Sequence, residues 1–325
     1  MRERFTVSAA GYRRITFLAL LALAFIVVTG GAVRVTGSGL GCPDWPTCAE
    51  GRIVAPLEYH ALVEFINRTV TGAVSIMVIV AVLAALRRRP YRRDLTRLAI
   101  GLVLGVLGQI VLGGLVVLSH LYPPLVMGHF VLSMVLVANA VVLHHRAGWP
   151  EGRVPPPTVG PDLRQLGSWV VVWSAVVLGL GTVVTGSGPH AGSHEGEFVE
   201  RLPFEVREVA RIHAVAVWIL LALVLYTLWR VWRDRPPADV RARGSALLTV
   251  LCFQGAIGYI QYFSDVPALL VAIHIGGATA VWVAVLRFRL GLANAATPVT
   301  DGAGVGTPAT DLSRPVAGAP APNRA

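Results

Sequence analysis

The sequence predicts an all-α membrane protein with eight transmembrane helices, arranged as two pseudo-symmetric four-helix bundles (a parallel repeat), with both termini cytoplasmic. Three observations predict this fold. The 325 residues are 54% hydrophobic and only 14% charged, and the mean hydropathy is +0.65, which excludes a soluble domain of this length. The chain contains eight apolar runs, and its two halves repeat the same sequence elements.

The apolar runs give the order of the predicted helices. Each is long enough, or nearly long enough, to cross the hydrocarbon core of a bilayer. They lie at roughly 15–33, 64–86, 97–118, 126–143, 166–184, 209–229, 246–262 and 268–286. The first run is a full-length span without a small-residue cleavage site, so no cleavable signal peptide is expected.

The distribution of arginine predicts the orientation. The chain has no lysine, and its arginines are dense before the first run, between the second and third, and after the fourth, sixth and eighth. The alternate connections carry few, so the positive-inside rule places both termini in the cytoplasm of a multi-pass protein of the cell (plasma) membrane. The net charge of +10 is therefore a topology signal, and no nucleic acid partner is expected.

An internal repeat relates the two halves of the chain. The segment Gln109–Gly113, followed by His129, recurs 145 positions later as Gln254–Gly258, followed by His274. The pentapeptide Val-Thr-Gly-Ser-Gly at 35–39 also recurs, at 184–188. Parallel repeats with an even number of spans are related by an axis along the membrane normal.

The repeat also predicts the domain boundaries. We expect an N-terminal four-helix bundle over residues 1–150 and a C-terminal four-helix bundle over residues 151–292. Residues 293–325 are rich in Ala, Pro, Gly and Thr and contain few large apolar side chains. This composition predicts a disordered tail.

His213 and His274 are predicted to face each other across the C-terminal bundle. Ionisable side chains inside a membrane are costly and usually functional, and these two histidines lie near the same depth on separate helices. Two opposed imidazoles in an apolar bundle suit axial ligation of a haem iron. The alternative is that each imidazole hydrogen-bonds a neighbouring carbonyl and binds no haem. Ligation is favoured, because the two histidines lie at matched depth and the other half repeats a histidine at that depth.

The N-terminal half lacks one member of this pair. Asn67 stands where the C-terminal half has His213, and asparagine is not a normal haem ligand. His129 is therefore alone at its site unless His60 or His120 reaches it from a loop. A haem held by His129 alone would suit a substrate better than a permanent cofactor, so we expect the two halves to divide the work.

Two charged residues flank Asn67 in the stretch Glu64-Phe-Ile-Asn67-Arg68: Glu64 precedes it and Arg68 follows it. A carboxylate at the mouth of an apolar span can act as a base or stabilise a developing cation. The alternative is that Glu64 and Arg68, at i and i+4, simply pair at the membrane interface. Spacing alone favours neither.

Two further features mark the connection after the first helix. Cys42 and Cys48 are expected to form a small disulfide on the oxidising side, either as a redox-active pair or as a loop staple. Arg34, like Arg68 and Arg211, lies at the end of a span. These guanidinium groups would either bind haem propionates or serve as ordinary interfacial residues.

The chain resembles the haem A synthase family, membrane enzymes that oxidise haem O to haem A for terminal oxidases. The resemblance covers about residues 15–290, and the combination of its parts is highly specific. The matching stretches are Gly30–Leu40, Cys42–Pro46, Glu64–Arg68, Gly113–Leu118 with His129, Thr185–Gly192, Arg211–His213, and His274. The family's motif is commonly Glu-x-x-His-Arg, and here the histidine is replaced by Asn67.

The resemblance implies a resident haem b cofactor in the C-terminal half, with His213 and His274 as its iron ligands. It implies haem O as the substrate in the N-terminal half, near Glu64, with His129 on the iron. Glu64 is then the expected catalytic residue, and the substrate-binding residues are expected to be Asn67, Arg68 and Arg34. Cys42 and Cys48 would lie in the capping loop.

The function implied is an oxidoreductase that converts one ring methyl of haem O to a formyl group by successive hydroxylations, with water as the oxygen source. The expected partners are haem O synthase upstream, an unidentified electron acceptor, and terminal oxidase assembly; a homo-oligomer stays open. Two other classes of function are alternatives. A di-haem cytochrome b carrying electrons between quinol and an outer acceptor would need a second bis-histidine site, which Asn67 disfavours. A transporter would place its polar groups at the midplane.

Overall fold

The computed structural model describes residues 6–150, 154–194 and 198–294, and in these ranges it contains eight α-helices and no strand. Each helix is long and apolar enough to cross a membrane, which confirms the all-helical prediction with eight spans. The helices are α1 (Ala9–Val35), α2 (Tyr59–Arg87), α3 (Arg93–Leu118), α4 (Pro123–Ala147), α5 (Pro161–Ser187), α6 (Val206–Asp234), α7 (Ala238–Phe263) and α8 (Ala268–Ala293).

Every helix is longer than the apolar run that predicted it. Arg13 and Arg14 belong to α1, and Arg287 and Arg289 belong to α8, although all four were excluded from the runs. A charged residue at a helix end keeps its head group in the interfacial region while its backbone stays helical. Hydropathy therefore located the helices but placed most of their ends too far inward.

Local signals mark several helix starts. The Ser8 side chain caps α1 by accepting a hydrogen bond from the Gly11 amide at 3.0 Å. Pro123 and Pro161 are the first residues of α4 and α5, where the missing N–H costs nothing. The predicted tail began at 293, but Ala293 is the last residue of α8, and residues 295–325 lie outside the described residues.

The helices pack as two sets of four. In the N-terminal set, α1 packs against α2 and α4, and α3 packs against α2 and α4. In the C-terminal set, α5 packs against α6 and α8, and α7 packs against α6 and α8. The two sets meet where α1 contacts α8 and where α4 contacts α5 and α8. Each set has its own buried apolar cluster, and Trp282 of α8 extends into the N-terminal cluster.

Two connections lie together at one end of the helices, which we call the cap end. They are the α1–α2 connection (36–58) and the described parts of the α5–α6 connection (188–194 and 198–205). The Gly39 amide donates to the Gly192 carbonyl at 2.7 Å, and the imidazoles of His60 and His194 stack with centroids 4.7 Å apart. The cap end therefore joins the two helix sets.

Candidate functional site

His213 of α6 and His274 of α8 lie on diagonally opposite helices of the C-terminal set. Among the described residues, α6 and α8 do not contact each other, but both contact α5 and α7. The Nδ1 atom of His274 is buried and makes no hydrogen bond with a described residue. The Nδ1 atom of His213 is also buried, beside the backbone of Val177 but without a hydrogen bond of good geometry. Both imidazole rings therefore lie inside an apolar helix set, and each has a buried nitrogen atom without a hydrogen-bond partner among the described residues.

Both rings rest against glycines on neighbouring helices. A Cβ atom at Gly181 of α5 would lie 3.3 Å from Cε1 of His213. A Cβ atom at Gly258 of α7 would lie 3.1 Å from Cε1 of His274. A Cβ atom at either position would require the imidazole to move by a few tenths of an ångström. The glycines therefore create the space that each ring occupies.

The N-terminal set repeats the arrangement around His274. The Gln109 Nε2 donates to the His129 carbonyl at 3.0 Å, and the Gln254 Nε2 donates to the His274 carbonyl at 2.9 Å. A Cβ atom at Gly113 would lie 3.3 Å from Cε1 of His129. The repeat seen in the sequence is therefore also a repeat of contacts, in which a glutamine and a glycine of one helix hold the histidine of the next.

The position on α2 that corresponds to His213 of α6 differs between the two sets, as the sequence indicated: it is Asn67. Asn67 of α2 accepts a hydrogen bond at Oδ1 from the Thr29 hydroxyl of α1, at 2.8 Å. His60 does not take its place, because its Nδ1 bonds the Ser38 hydroxyl at 3.0 Å and its ring stacks on the cap. His120 is an exposed residue of the turn after α3. In the described structure, neither histidine completes a pair with His129.

Glu64 and Arg68 form a buried ion pair at the cap end of α2. The Arg68 Nη2 lies 2.6 Å from Oε1 of Glu64, and the Glu64 side chain is only 7% exposed. The other carboxylate oxygen, Oε2, accepts a hydrogen bond from the Cys42 amide at 2.8 Å. The i, i+4 pairing that the sequence left open is present, and its carboxylate is buried in the protein. Both carboxylate oxygens already have partners in the protein.

The Cys42–Cys48 disulfide predicted from the sequence is present and is buried. The loop that it closes is attached to α2, because the Arg68 guanidinium donates to the carbonyls of Cys42, Asp44 and Thr47. Such a dense set of charge-assisted bonds fixes the loop firmly.

Arg34 reaches from one helix set to the other. Its Nη2 donates to the Thr185 carbonyl at the end of α5, at 3.0 Å, while its Nε is buried without a hydrogen bond among described residues. Arg201 donates to the Gly188 carbonyl nearby. Arg211 is exposed. Propionate binding by Arg34 and Arg68 stays a prediction, and Arg68 would have to share its guanidinium with the loop.

These residues fit haem better than a bare metal ion. Within the described ranges, no group of three or more His, Cys, Asp or Glu side chains is placed to hold a metal. A porphyrin supplies four nitrogen ligands itself, so an iron porphyrin needs only one or two protein imidazoles. Two imidazoles in the C-terminal set and one in the N-terminal set could serve as such ligands, since each is buried against a glycine and has an Nδ1 without a hydrogen-bond partner among the described residues.

Sequence reasoning gave no role to several residues that shape the site. Gly113 and Gly258 were part of the repeat, and their common spacing from the histidines was the available signal. Gly181 and Thr29 gave no comparable signal, because their roles depend on how α5 and α1 face their neighbours. Trp45 was also unassigned, and its indole lies over Gly114 of α3.

Comparison with known proteins gives a consistent result. Residues 13–286 match the COX15-CtaA family, which is described as cytochrome oxidase assembly protein. The matched residues include most of both helix sets and every histidine discussed above.

Among individual proteins, the chain is similar to several that are named haem A synthase. It is 27% identical to that of Listeria welshimeri over 269 residues, which cover 79% of this chain and 87% of the relative. It is 29% identical to that of Symbiobacterium thermophilum over 283 residues, covering 83% and 92%. A shorter stretch of 115 residues is 33% identical to the protein of Geobacillus thermodenitrificans, covering 34% and 35%.

Proposed function

Because the chain belongs to the COX15-CtaA family of cytochrome oxidase assembly proteins, we propose that it is a haem A synthase, a multi-pass enzyme that oxidises a ring methyl of haem O to a formyl group. The similarity to proteins of that name over about four-fifths of the chain carries the proposal. The family does not favour the electron-carrier alternative, and Asn67 argues against its second bis-histidine site. In a bacterial cell, the membrane concerned is the plasma membrane.

The two helix sets are pseudo-symmetric bundles with different occupants. Residues 1–150 form the haem O half, and residues 151–292 form the half that holds haem b. The matching order of helix contacts in the two sets and the matching Gln–Gly–His contacts support this division. His213 and His274 would hold the resident haem b, which would supply a redox-active iron for passing electrons on.

His129 is the iron ligand of the substrate in the N-terminal half. A single protein ligand holds the substrate less firmly than the pair in the other half, which suits a molecule that must leave after reaction. Asn67 and Arg34 belong to helices of the N-terminal set. They would contact the porphyrin edge of haem O and its propionates. Arg68 would add a cation at the same end.

Glu64 is the group that acts on the reacting methyl. Each hydroxylation takes an oxygen atom from water and removes two electrons and two protons from the substrate, and the second product loses water to give the aldehyde. A carboxylate with a firmly fixed position can stabilise a developing cation or orient the attacking water. The bonds to Arg68 and the Cys42 amide supply that fixed position.

The orientation and partners follow from the same proposal. The cap end faces the outside and both termini face the cytoplasm, since the arginine-rich connections lie at the opposite end. Haem O synthase supplies the substrate, the product serves terminal oxidase assembly, and an electron acceptor of unidentified class receives the four electrons.

The proposal is tested in a bacterium that makes haem O but has no haem A synthase of its own. Expression of the wild-type chain is expected to yield haem A in acid–acetone extracts, identified by chromatography and mass. Haem O alone in those extracts, with the chain present in the membrane and carrying haem b, would contradict the proposed activity. It would leave the electron-carrier alternative as the better account.

A further inference from the structure

Asn67 is placed in the N-terminal set much as His213 is placed in the C-terminal set. The helices α2 and α6 are both 29 residues long, and each of the two residues lies in the third turn of its helix. Within the described residues, α2 does not contact α4, the helix of His129, although both contact α1 and α3. Asn67 and His129 therefore lie on diagonally opposite helices, as His213 and His274 do.

Asn67 belongs to the face of α2 that points to the interior of the N-terminal set. It shares this face with Val74, Val78 and Ala85, because all four residues lie close to a whole number of turns apart. Those three side chains are at most 4% exposed, whereas Asn67 is only partly buried. The interior is therefore less completely filled at the depth of Asn67 than farther along the helix.

Two nitrogen atoms at this depth have no partner in the protein. The Nδ2 of Asn67 and the Nε2 of His129 make no hydrogen bond with a described residue, and neither atom is enclosed by protein. The other ring nitrogen of His129, Nδ1, is buried and would lie 3.9 Å from a Cβ atom at Gly113. His129 thus offers Nε2 as its accessible ligand atom, and Asn67 offers an amide from the opposite helix.

Thr29 of α1 fixes the orientation of that amide. Its hydroxyl lies 2.8 Å from Oδ1 of Asn67 and 3.2 Å from the Ile26 carbonyl, and the shorter contact is the stronger hydrogen bond. Because the Oδ1 atom accepts this bond from α1, the N–H groups of the amide are directed away from α1. A donor held in this way suits a small ligand with a lone pair, such as water or an inorganic anion.

We propose that the sixth coordination position of the iron of haem O faces Asn67, and that the Asn67 amide donates a hydrogen bond to water or a small anion bound there, an inference that rests on the proposed function. It narrows the contact between Asn67 and haem O given above. An iron porphyrin held by one histidine keeps one axial position open, and the hydrogen-bond donors beside that position decide which small ligands bind. Asparagine supplies a donor but is not a normal haem ligand, so it leaves open the position that a histidine would fill.

Asn67→His tests whether residue 67 faces the iron. The purified protein in lipid nanodiscs is saturated with ferric haem O, and the absorbance and electron paramagnetic resonance spectra of the added haem are recorded. We expect high-spin added haem in the wild type and a second low-spin, bis-histidine haem in Asn67→His. Thr71→His is the matched control, since Thr71 lies about 6 Å farther along α2, and it should keep the high-spin form. Added haem that stays high-spin in Asn67→His would overturn the proposal.

Fluoride tests the hydrogen bond, because it binds high-spin ferric haem and accepts hydrogen bonds but donates none. The resident haem b, with two histidine ligands, would have no position for it. We expect Asn67→Leu to weaken fluoride binding roughly tenfold or more, the scale of a lost hydrogen bond to a charged group. Thr29→Val should weaken it by a smaller factor, because the amide is released but retained. Thr71→Val is the control, since the Thr71 hydroxyl bonds the backbone carbonyl of Asn67 at 3.0 Å rather than its amide.

The outcomes separate the ligand site from the enzymatic activity. Equal fluoride affinities in the wild type and Asn67→Leu would overturn the hydrogen bond and leave Asn67 as a tie between α1 and α2; if cells with the wild type still make haem A, the proposed function stands. Fluoride binding that depends on Asn67, in a protein whose cells never make haem A, would support the ligand site and contradict the enzymatic function. A wild type that takes up no haem O would contradict both.

Discussion

Glu64 is both the proposed reacting group and an anchor for the disulfide loop. Its two carboxylate oxygens bind different partners, the Arg68 guanidinium and the Cys42 amide. Removing one partner of a buried ion pair usually costs about 3–5 kcal/mol, because the other charge is left uncompensated. Arg68 retains its bonds to the loop carbonyls, so the cost here should be smaller. A chemical role and a structural role are therefore separable by experiment.

We predict that Glu64→Gln lowers haem A formation by about a hundredfold, the usual scale of a lost acid–base or charge-stabilising group. Glutamine keeps the size of the side chain and an oxygen for the Cys42 amide, but not the negative charge. The measurement is the ratio of haem A and hydroxylated intermediate to haem O in extracts. The resident haem b spectrum and the rate at which a reductant opens the Cys42–Cys48 disulfide should stay at wild-type values.

Two results would contradict this prediction. Near-normal haem A would remove Glu64 from the mechanism. A loss of haem A that is accompanied by rapid reduction of the disulfide would assign Glu64 to the loop rather than to the chemistry.

The sequence offered the Glu64–Arg68 contact as one of two alternatives, because helix geometry alone brings residues i and i+4 together. It did not predict that Arg68 binds three carbonyls of the disulfide loop. Those bonds depend on the path of the loop between Cys42 and Cys48, and no periodic pattern defines such a path. Similarly, the sequence marked Asn67 as a departure but could not place Thr29 beside it.

At the scale of helices, the site depends on glycines that receive imidazole rings. Gly113, Gly181 and Gly258 each lie against Cε1 of a histidine on the neighbouring helix. Glycine costs helix stability, roughly 0.8–1 kcal/mol relative to alanine, so an interior glycine needs a compensating reason. Here the reason is the space for a ring that would hold iron.

We predict that Gly258→Ala weakens the low-spin haem spectrum, since the added methyl carbon would lie 3.1 Å from Cε1 of His274 and would displace the ring. Gly255→Ala on the same helix is the matched control, because a Cβ atom there meets nothing within 4 Å. Both substitutions gain the same helix propensity. The measurement is haem b retained per protein after purification, with the absorbance spectrum of the reduced form.

Equal haem content and identical spectra in the Gly258→Ala and Gly255→Ala variants would show that the glycine does not position the ligand.

The eight helices were predictable because hydrophobic length is a strong signal in a membrane protein. Their ends were not, since Arg13 and Arg287 are helical despite their charge. The Gln–Gly–His repeat singled out His129 and His274, and the shared contacts of Gln109 and Gln254 explain why it recurs. Gly181 was missed because its role arises from the packing of α5 against α6.

At the scale of the whole molecule, the two helix sets are joined both within the membrane and at the cap. The Trp282 Nε1 of α8 donates to the Met134 carbonyl of α4 at 2.9 Å, and Trp282 is buried in the N-terminal cluster. At the cap, Arg34 reaches the Thr185 carbonyl. These contacts hold the proposed haem O half against the proposed haem b half, which is the arrangement that electron transfer between them requires.

The two sets share a pattern of contacts but differ at positions that bear on the proposed division of labour. Asn67 stands where the C-terminal set has His213, and Gly72 and Gly114 stand where it has the hydrogen-bonded Trp218 and Tyr259. The first of these differences leaves His129 without a second histidine at its site in the described structure. We therefore expect the C-terminal site to retain its haem and the N-terminal site to exchange it.

The most direct test of this division of labour compares His129→Ala with His274→Ala in cells that make haem O. We predict that His129→Ala keeps the low-spin haem b spectrum but accumulates haem O without haem A. His274→Ala should lose the low-spin spectrum and, lacking the resident haem, also lose haem A. The purified proteins are measured by absorbance and by chromatography of extracted haems. A low-spin spectrum that survives in His274→Ala and disappears in His129→Ala would contradict the assignment of the two halves.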